Sequence, residues 1–429
     1  MTGRTEHKQL PYQATPFVAS LINLGKSTVC CGAREWKIAM ELTSPTLEYV
    51  TIAVALLCVA LTAWLWPRFA GRSVRAWLGR LGSIAVTQAA IVAALALAVN
   101  ANFQFYGSWS ELLGEEDAAP AALSELEGGG AQRADVSGGL VQPAPPQGLD
   151  RVHGLPEGRP DRVGKVESVR LLGRRSQVAN PAYVYLPPQY FQRAYDRQRF
   201  PVVVTISGYP GGSFLLAQHL RVPQTAGRLI RGGAMQPAII VMVRPTIAPP
   251  RDTECVDVPG GQKAETFFAK DLPEALRGHY RVGHDSSAWG VLGYSSGGTC
   301  ALQLAMRHPR VYSSAAALSP DYRVVNDPTT GDLFGRGEAG ERRKREHDLL
   351  WRLRNLPRPQ VSVLVTSSRK GEPNYRQTRE FLGAVKAPMR AESIILDKGS
   401  HNFRTWRREL SPALRWMSGQ LTFPQDVVR

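Results

Sequence analysis

The run Gly293-Tyr294-Ser295-Ser296-Gly297 sets a serine midway between two glycines, a spacing that can present a nucleophile on a sharp turn. On such a turn the backbone is strained, and the positions two before and two after the nucleophile approach too closely to carry side chains. Ser295 is the centre of that frame; Ser296 is not, because the same frame around it would need glycine where Tyr294 stands. Ser296 instead opens the following helix, where its backbone N–H is suited to stabilise an oxyanion. A serine hydroxyl needs a base and the base an orienting acid, expected in the chain order Ser, acid, His. Of the eight histidines only His347 and His401 lie beyond the helical stretch that ends at His308. His401 directly follows an apolar strand in "ESIILDKGSHNF", whereas His347 sits in a charged helical stretch and is expected at the surface. Two acids compete: Glu372, in the loop "SRKGEPNYRQ" after the strand "VSVLVTS", stands where a triad acid belongs, and Asp397 precedes His401 by four residues. A second oxyanion donor is expected from "VVVTISGYPGGSF", and since Pro210 has no N–H, Tyr209 is the candidate. Neither G-x-x-x-x-G-K-[ST] nor G-x-G-x-x-G occurs, and no metal or organic cofactor is implied.

Positioning these residues takes a sheet. From Lys165 onward short apolar runs ("YVYLP", "FPVVVTIS", "AIIVMV", "WGVLG", "SAAALS", "VSVLVTS", "ESIILD") alternate with helical stretches such as "AETFFAKDLPEALRGHY", "GTCALQLAMRH", "NYRQTREFLGAV" and "NFRTWRRELSPALRWMSG". Continuous apolarity is the mark of strands buried on both faces, and the alternation predicts a mostly parallel sheet flanked by helices, an α/β class.

The first third of the chain reads differently. "YVTIAVALLCVALTAWLWP", between Glu48 and Arg68, is uncharged and long enough to cross a hydrocarbon core of ~30 Å as a helix. A second uncharged stretch runs from Leu81 to Ser110, so two transmembrane helices are expected over 49–67 and 81–102. The loop between them carries Arg68, Arg72, Arg75 and Arg80 and no acid, which predicts a cytoplasmic loop with both flanks facing outward. Trp64, Trp66, Phe103, Phe105, Tyr106 and Trp109 are placed as interfacial aromatics. The basic leader 1–39 would pull the N-terminus inward; the segment from Met40 is short and acidic, which makes Met40 a candidate start. Residues 111–164, rich in Ala, Gly and Pro, read as a disordered tether that holds a catalytic domain over 165–421 off the membrane.

With 52 Lys+Arg against 36 Asp+Glu the formal charge is +16, but most of it is scattered arginine. The densest cluster, "ERRKRE" at 341–346, is mixed in sign and reads as a solvated helix face rather than a nucleic-acid patch. No nucleic-acid partner is expected, and the five cysteines show no metal-ligand spacing.

Taken in order, "TISGYPGG", "GVLGYSSGGTCALQLAMRHP", "GEPNYRQT" and "GSHNFRTW" resemble the esterase family of α/β-hydrolases, which includes esterase D-like enzymes and the antigen 85 type mycolyltransferases. The likeness covers roughly 165–421, and two spans plus a tether look like an arrangement of actinobacterial members. It implies an α/β-hydrolase fold, Ser295 as nucleophile, His401 as base, Glu372 as acid, and the N–H groups of Tyr209 and Ser296 as oxyanion hole. A serine esterase acting on an ester or lipid-like substrate is the leading expectation. An acyltransferase passing the acyl group to a sugar or lipid hydroxyl is the second, and a catalytically silent cell-surface domain binding cell-wall glycan the third. An outward-facing domain would sit in an oxidising compartment, where its two cysteines, Cys255 and Cys300, are expected to form a disulfide.

Overall fold

The computed structural model describes residues 45–103, 139–145, 148–149, 152–247, 251–324 and 326–424. The leader 1–44, the aromatics from Phe105 to Trp109 and the 111–138 part of the expected tether lie outside the described residues.

The N-terminal unit is a helical hairpin of α1 (Pro45–Leu65) and α2 (Val74–Phe103). The spans Thr46–Phe69 and Val74–Asn100 have mean hydropathies of 2.1 and 2.0 and are long and apolar enough to cross a membrane. The second helix begins seven residues before the expected Leu81, so Arg75 and Arg80 belong to it rather than to the loop. The guanidinium of Arg80 donates to the Phe69 carbonyl at 2.5 Å, tying the turn to the helix that follows. Thr62 and Thr87 hydrogen-bond across the hairpin at 2.7 Å, a polar pair suited to joining helices in an apolar medium.

In the second unit, nine strands form one sheet among the described residues, in the order β1-β2-β3-β5-β4-β6-β7-β8-β9. They are β1 (Val141–Pro143), β2 (Lys165–Leu172), β3 (Ala179–Leu186), β4 (Val202–Ile206), β5 (Ile239–Val243), β6 (Trp289–Tyr294), β7 (Ser314–Leu318), β8 (Ser362–Lys370) and β9 (Arg390–Lys398). The first three pair antiparallel, and the strands from β5 through β9 in sheet order run parallel. Every residue of β4, β5, β6 and β7 is buried, as continuous apolar runs require. The two-residue period of a strand sends Val202, Val204 and Ile206 to one core and Val203 to the other. On the first face pack α5 (Leu272–His279), α6 (Ser296–Arg307), α8 (Leu349–Asn355) and α9 (Tyr375–Ala384); α3 (Ser213–Gln218), α4 (Val222–Arg231) and α10 (Phe403–Gln420) cover the second. The charged run at 341–346 falls on α7 (Gly337–Glu346), of which only Gly340 is buried.

One boundary needs correction. The expected tether does not extend to Gly164: Val141–Pro143 adds a strand beside β2, with Val141 opposite Leu171, and Val141 and Val152 are both buried. Leu172 N–H donates to the Leu140 carbonyl and Ala144 N–H to that of Ser168. The physical reason is local: β2 would otherwise expose a row of unpaired backbone groups, and three residues led by Leu140 and Val141 suffice to satisfy them. Averaged over fifty Ala-, Gly- and Pro-rich residues, that short apolar pair leaves no compositional trace.

Candidate active site

Strand β6 ends at Tyr294 and α6 begins at Ser296, which leaves Ser295 alone on the turn with φ 55° and ψ −129°, in the left-handed half of the map that a non-glycine residue adopts only under constraint. The flanking glycines are required by contact. A Cβ on Gly293 would lie 2.1 Å from the Gly297 carbonyl oxygen, and one on Gly297 would lie 2.3 Å from that of Ser207. Ser295 N–H donates to the Leu318 carbonyl at 2.9 Å, pinning the turn to the end of β7.

His401 and Glu372 arrive from the ends of the next parallel strands. Gly371, with φ 97°, abuts the backbone of Gly399, where an added Cβ would lie 2.5 Å from the carbonyl oxygen. This contact brings the loop after β8 against the loop after β9. His401 Nε2 then lies 2.8 Å from Ser295 Oγ, and its Nδ1 lies 3.0 Å from Glu372 Oε2. The Glu372 side chain is fully buried, whereas that of its rival Asp397 is 95% exposed and faces Arg369 at 3.6 Å. Of the two acids, only Glu372 is brought to the histidine. Trp406 stands edge-on to the His401 ring at 5.0 Å and packs with Tyr294 and Phe403, so the imidazole rests on an aromatic wall. His219 stacks on Phe403 behind that wall; burial, and then the charges of Arg407 and Arg221, lower its pKa to about 4 and keep it neutral.

The oxyanion candidates are also adjacent. Gly208 packs on Ser295 and Tyr294, and the Tyr209 N–H that follows it donates to Ser296 Oγ at 2.8 Å. The donor that the sequence placed in an oxyanion hole is thus held by the Ser296 hydroxyl, next to Ser295. Cys255 and Cys300 have their sulfur atoms at bonding distance with Cα atoms 5.6 Å apart, which places the loop before α5 against α6, the helix that follows the Ser295 turn.

His347 is not at the surface as expected. It is 4% exposed, with Nδ1 2.7 Å from the Arg343 carbonyl and Nε2 3.5 Å from Glu265. Its helix is charged and solvated, but its C-terminal end turns inward onto a carboxylate that also receives Arg307 at 2.6 Å and His308 at 2.7 Å. Burial alone would raise the pKa of Glu265; hydrogen bonds from His308, His347 and Arg307, with the Arg307 charge, outweigh it and hold the carboxyl far below the usual range. The cluster lies apart from Ser295 and ties the C-terminal ends of α6 and α7 together.

The family model described as "Putative esterase" matches residues 177–417, more than half of the chain. The chain belongs to this family. An uncharacterized protein of Corynebacterium glutamicum is 30% identical over 179 residues, and the match spans 40% of that curated relative's length and 40% of this chain. Among solved structures, a ferulic acid esterase superposes with a TM-score of 0.52 at 20% identity, covering 61% of this chain and 99% of its own. An S-formylglutathione hydrolase from Agrobacterium tumefaciens superposes with a TM-score of 0.50 at 16% identity, covering 61% and 97%. These likenesses show the α/β-hydrolase fold.

Sequence reasoning missed the polar residues behind Glu372 and His401. Ser319 Oγ donates to Glu372 Oε1 at 2.8 Å, and Asn374 bridges Ser367 Oγ and the Pro320 carbonyl, fixing the loop that carries Glu372. The available signal was that "SAAALS" and "VSVLVTS" close in hydroxyl residues where parallel strands open onto a site.

Proposed function

We propose that the chain is a membrane-anchored serine esterase. The observation that carries this reading is the continuous alignment of Ser295 Oγ, His401 and Glu372, at 2.8 and 3.0 Å, on a strained turn of an esterase-family fold. Ser295 Oγ attacks the ester carbonyl carbon while His401 Nε2 takes its proton; Glu372 holds Nδ1–H and stabilises the imidazolium. The oxyanion is received by the Ser296 N–H and by the Tyr209 N–H, which leaves the Ser296 hydroxyl to do so. His401 returns its proton to the leaving alcohol. Water, deprotonated by the same histidine, then attacks the acyl-enzyme and releases the carboxylic acid.

The two apolar helices anchor the chain, and the arginines at their turn keep that turn in the cytoplasm, so the esterase unit faces outward. The cysteine pair supports this side of the membrane, because disulfides persist in oxidising compartments. The test is hydrolysis of short-chain 4-nitrophenyl esters by the full chain and by Ser295→Ala. A fall in kcat of about 10³-fold or more is expected. Free acid is the expected acyl product; transfer to an added sugar alcohol would move the reading to acyl transfer, and wild-type turnover by the variant would overturn it.

A further inference from the structure

Behind the acid of the proposed triad lies a buried carboxyl that the reaction does not use. Glu409, on the inner face of α10, is 0% exposed, and its Oε2 accepts from Thr366 Oγ1 at 2.7 Å. Thr366 lies at the middle of β8, and its Oγ1 also accepts the Ser319 N–H at 3.1 Å. A backbone N–H can only donate, so Thr366 Oγ1 accepts from Ser319 and its hydroxyl hydrogen remains free for Glu409. Ser319, one residue past β7, has φ 49°, a conformation a serine keeps only while its surroundings hold it. From there its Oγ donates to Glu372 Oε1, leaving Oε2 for His401. Hydrogen bonds therefore run without a break from Glu409 through Thr366, Ser319, Glu372 and His401 to Ser295, none longer than 3.1 Å.

We infer that Glu409 is a positioning residue: through Thr366 and Ser319 it fixes the Glu372 carboxylate in the rotation that receives His401. The inference rests on the reading of Ser295, His401 and Glu372 as the triad. Burying a glutamate is costly and packing alone would be served by an apolar side chain. Among the described residues its Oε1 has no hydrogen-bond partner, so Thr366 is what the carboxyl is there to hold. Two charged groups act on it, Glu372 from the loop after β8 and Arg408 from its own helix; Ser319, just past β7, and Thr366, at the middle of β8, are neutral. Burial raises its pKa, the Thr366 hydrogen bond opposes this, Glu372 raises it further and Arg408 lowers it, with the result at about 8. Near neutral pH the carboxyl is therefore uncharged and adds no second anion beside Glu372.

The experiment is steady-state ester hydrolysis by the full chain and by Glu409→Ala, Thr366→Val, the double variant and Glu409→Gln, with a thermal melt of each. Glu409→Ala and Thr366→Val are expected to lower kcat by about 10-fold each with KM within about twofold, the range for residues that orient a reacting group from behind. The double variant should be no worse than either single one, since both cut the same chain. Glu409→Gln, whose amide oxygen can accept from Thr366, should recover kcat to within about threefold of wild type. Wild-type kcat in Glu409→Ala, additive losses in the double variant, or a Gln variant as impaired as Ala would each overturn the inference. Should Glu409→Ala fail to fold, Thr366→Val and Glu409→Gln decide alone. Ser295→Ala is assayed beside the series, and wild-type turnover by that variant would count against the esterase reading instead, which keeps the two failures apart.

Discussion

Breaking the Cys255–Cys300 link should loosen the helix that carries the nucleophile turn, and the size of the effect follows from the chain it closes. The two cysteines are 45 residues apart. On the chain-entropy account a closed loop of that length removes about 4 kcal/mol of conformational freedom from the unfolded state. Both side chains are almost fully buried, so reduction also leaves two thiols where one covalent bond filled the space. For a folded unit of this size about 4 kcal/mol corresponds to a fall in Tm of about 8 °C. The assay is differential scanning calorimetry of the oxidised chain, the reduced chain and the Cys255→Ala/Cys300→Ala variant, with peptide mapping under non-reducing conditions. The linked tryptic peptide should be present, and reduction and substitution should lower Tm by similar amounts. Because Cys300 lies on α6 five residues after Ser295, ester hydrolysis at a fixed temperature should decline before bulk unfolding. Free alkylation of both cysteines without reductant, or a Tm indifferent to reductant, would refute the reasoning.

Three further expectations concern the site and its support. Glu372→Gln should lower kcat by about 10³- to 10⁴-fold, as loss of the orienting acid does, while Asp397→Asn stays within about twofold of wild type; equal losses in the two would reinstate Asp397. Gly297→Ala drives a Cβ into the backbone carbonyls of Ile206 and Ser207, which no rotamer change relieves. Displacing Ser295 on this scale should cost about 100-fold in kcat, and unchanged hydrolysis would show that the turn is not under steric control. Glu265→Gln removes the partner of Arg307, His308 and His347 and should destabilise the fold by about 3 kcal/mol at neutral pH. The Glu265 pKa is depressed in the folded state, so its stabilisation is present above the unfolded value of about 4.3 and is lost as pH falls further. The Tm difference between wild type and variant should therefore narrow below about pH 4, and a gap that persists into acid would contradict this.

Legibility in the sequence followed the range of the forces involved. Each of the seven strand runs from "YVYLP" to "ESIILD" overlaps an observed strand, and for β4 to β7 the reason is burial on both faces, which leaves an unbroken apolar signature within a few residues; β9, at the sheet edge, has no fully buried residue and shows only the short apolar run Ile394–Leu396. Ser295 was readable for a similar reason, since Gly293 and Gly297 are steric necessities of one local turn. His401 followed from strand order. Val141–Pro143 was not readable, because its pairing depends on β2 offering a free edge rather than on its own residues. His347 was misplaced since the composition of its helix describes the solvated face, while its final turn answers to Glu265, far away in sequence. Ser319, Thr366 and Glu409 are joined to one another and to Glu372 by hydrogen bonds that span 43 to 53 residues, and no local pattern announces such contacts.

Fluorophosphonate labelling of the full chain, followed by identification of the modified peptide, tests the central claim most directly. An activated serine next to a histidine base should be phosphonylated at Ser295 alone, and labelling should vanish in Ser295→Ala and fall steeply in His401→Ala. A folded chain that takes no label, or that labels equally in the Ser295→Ala variant, would contradict the account and leave the turn as structure without chemistry.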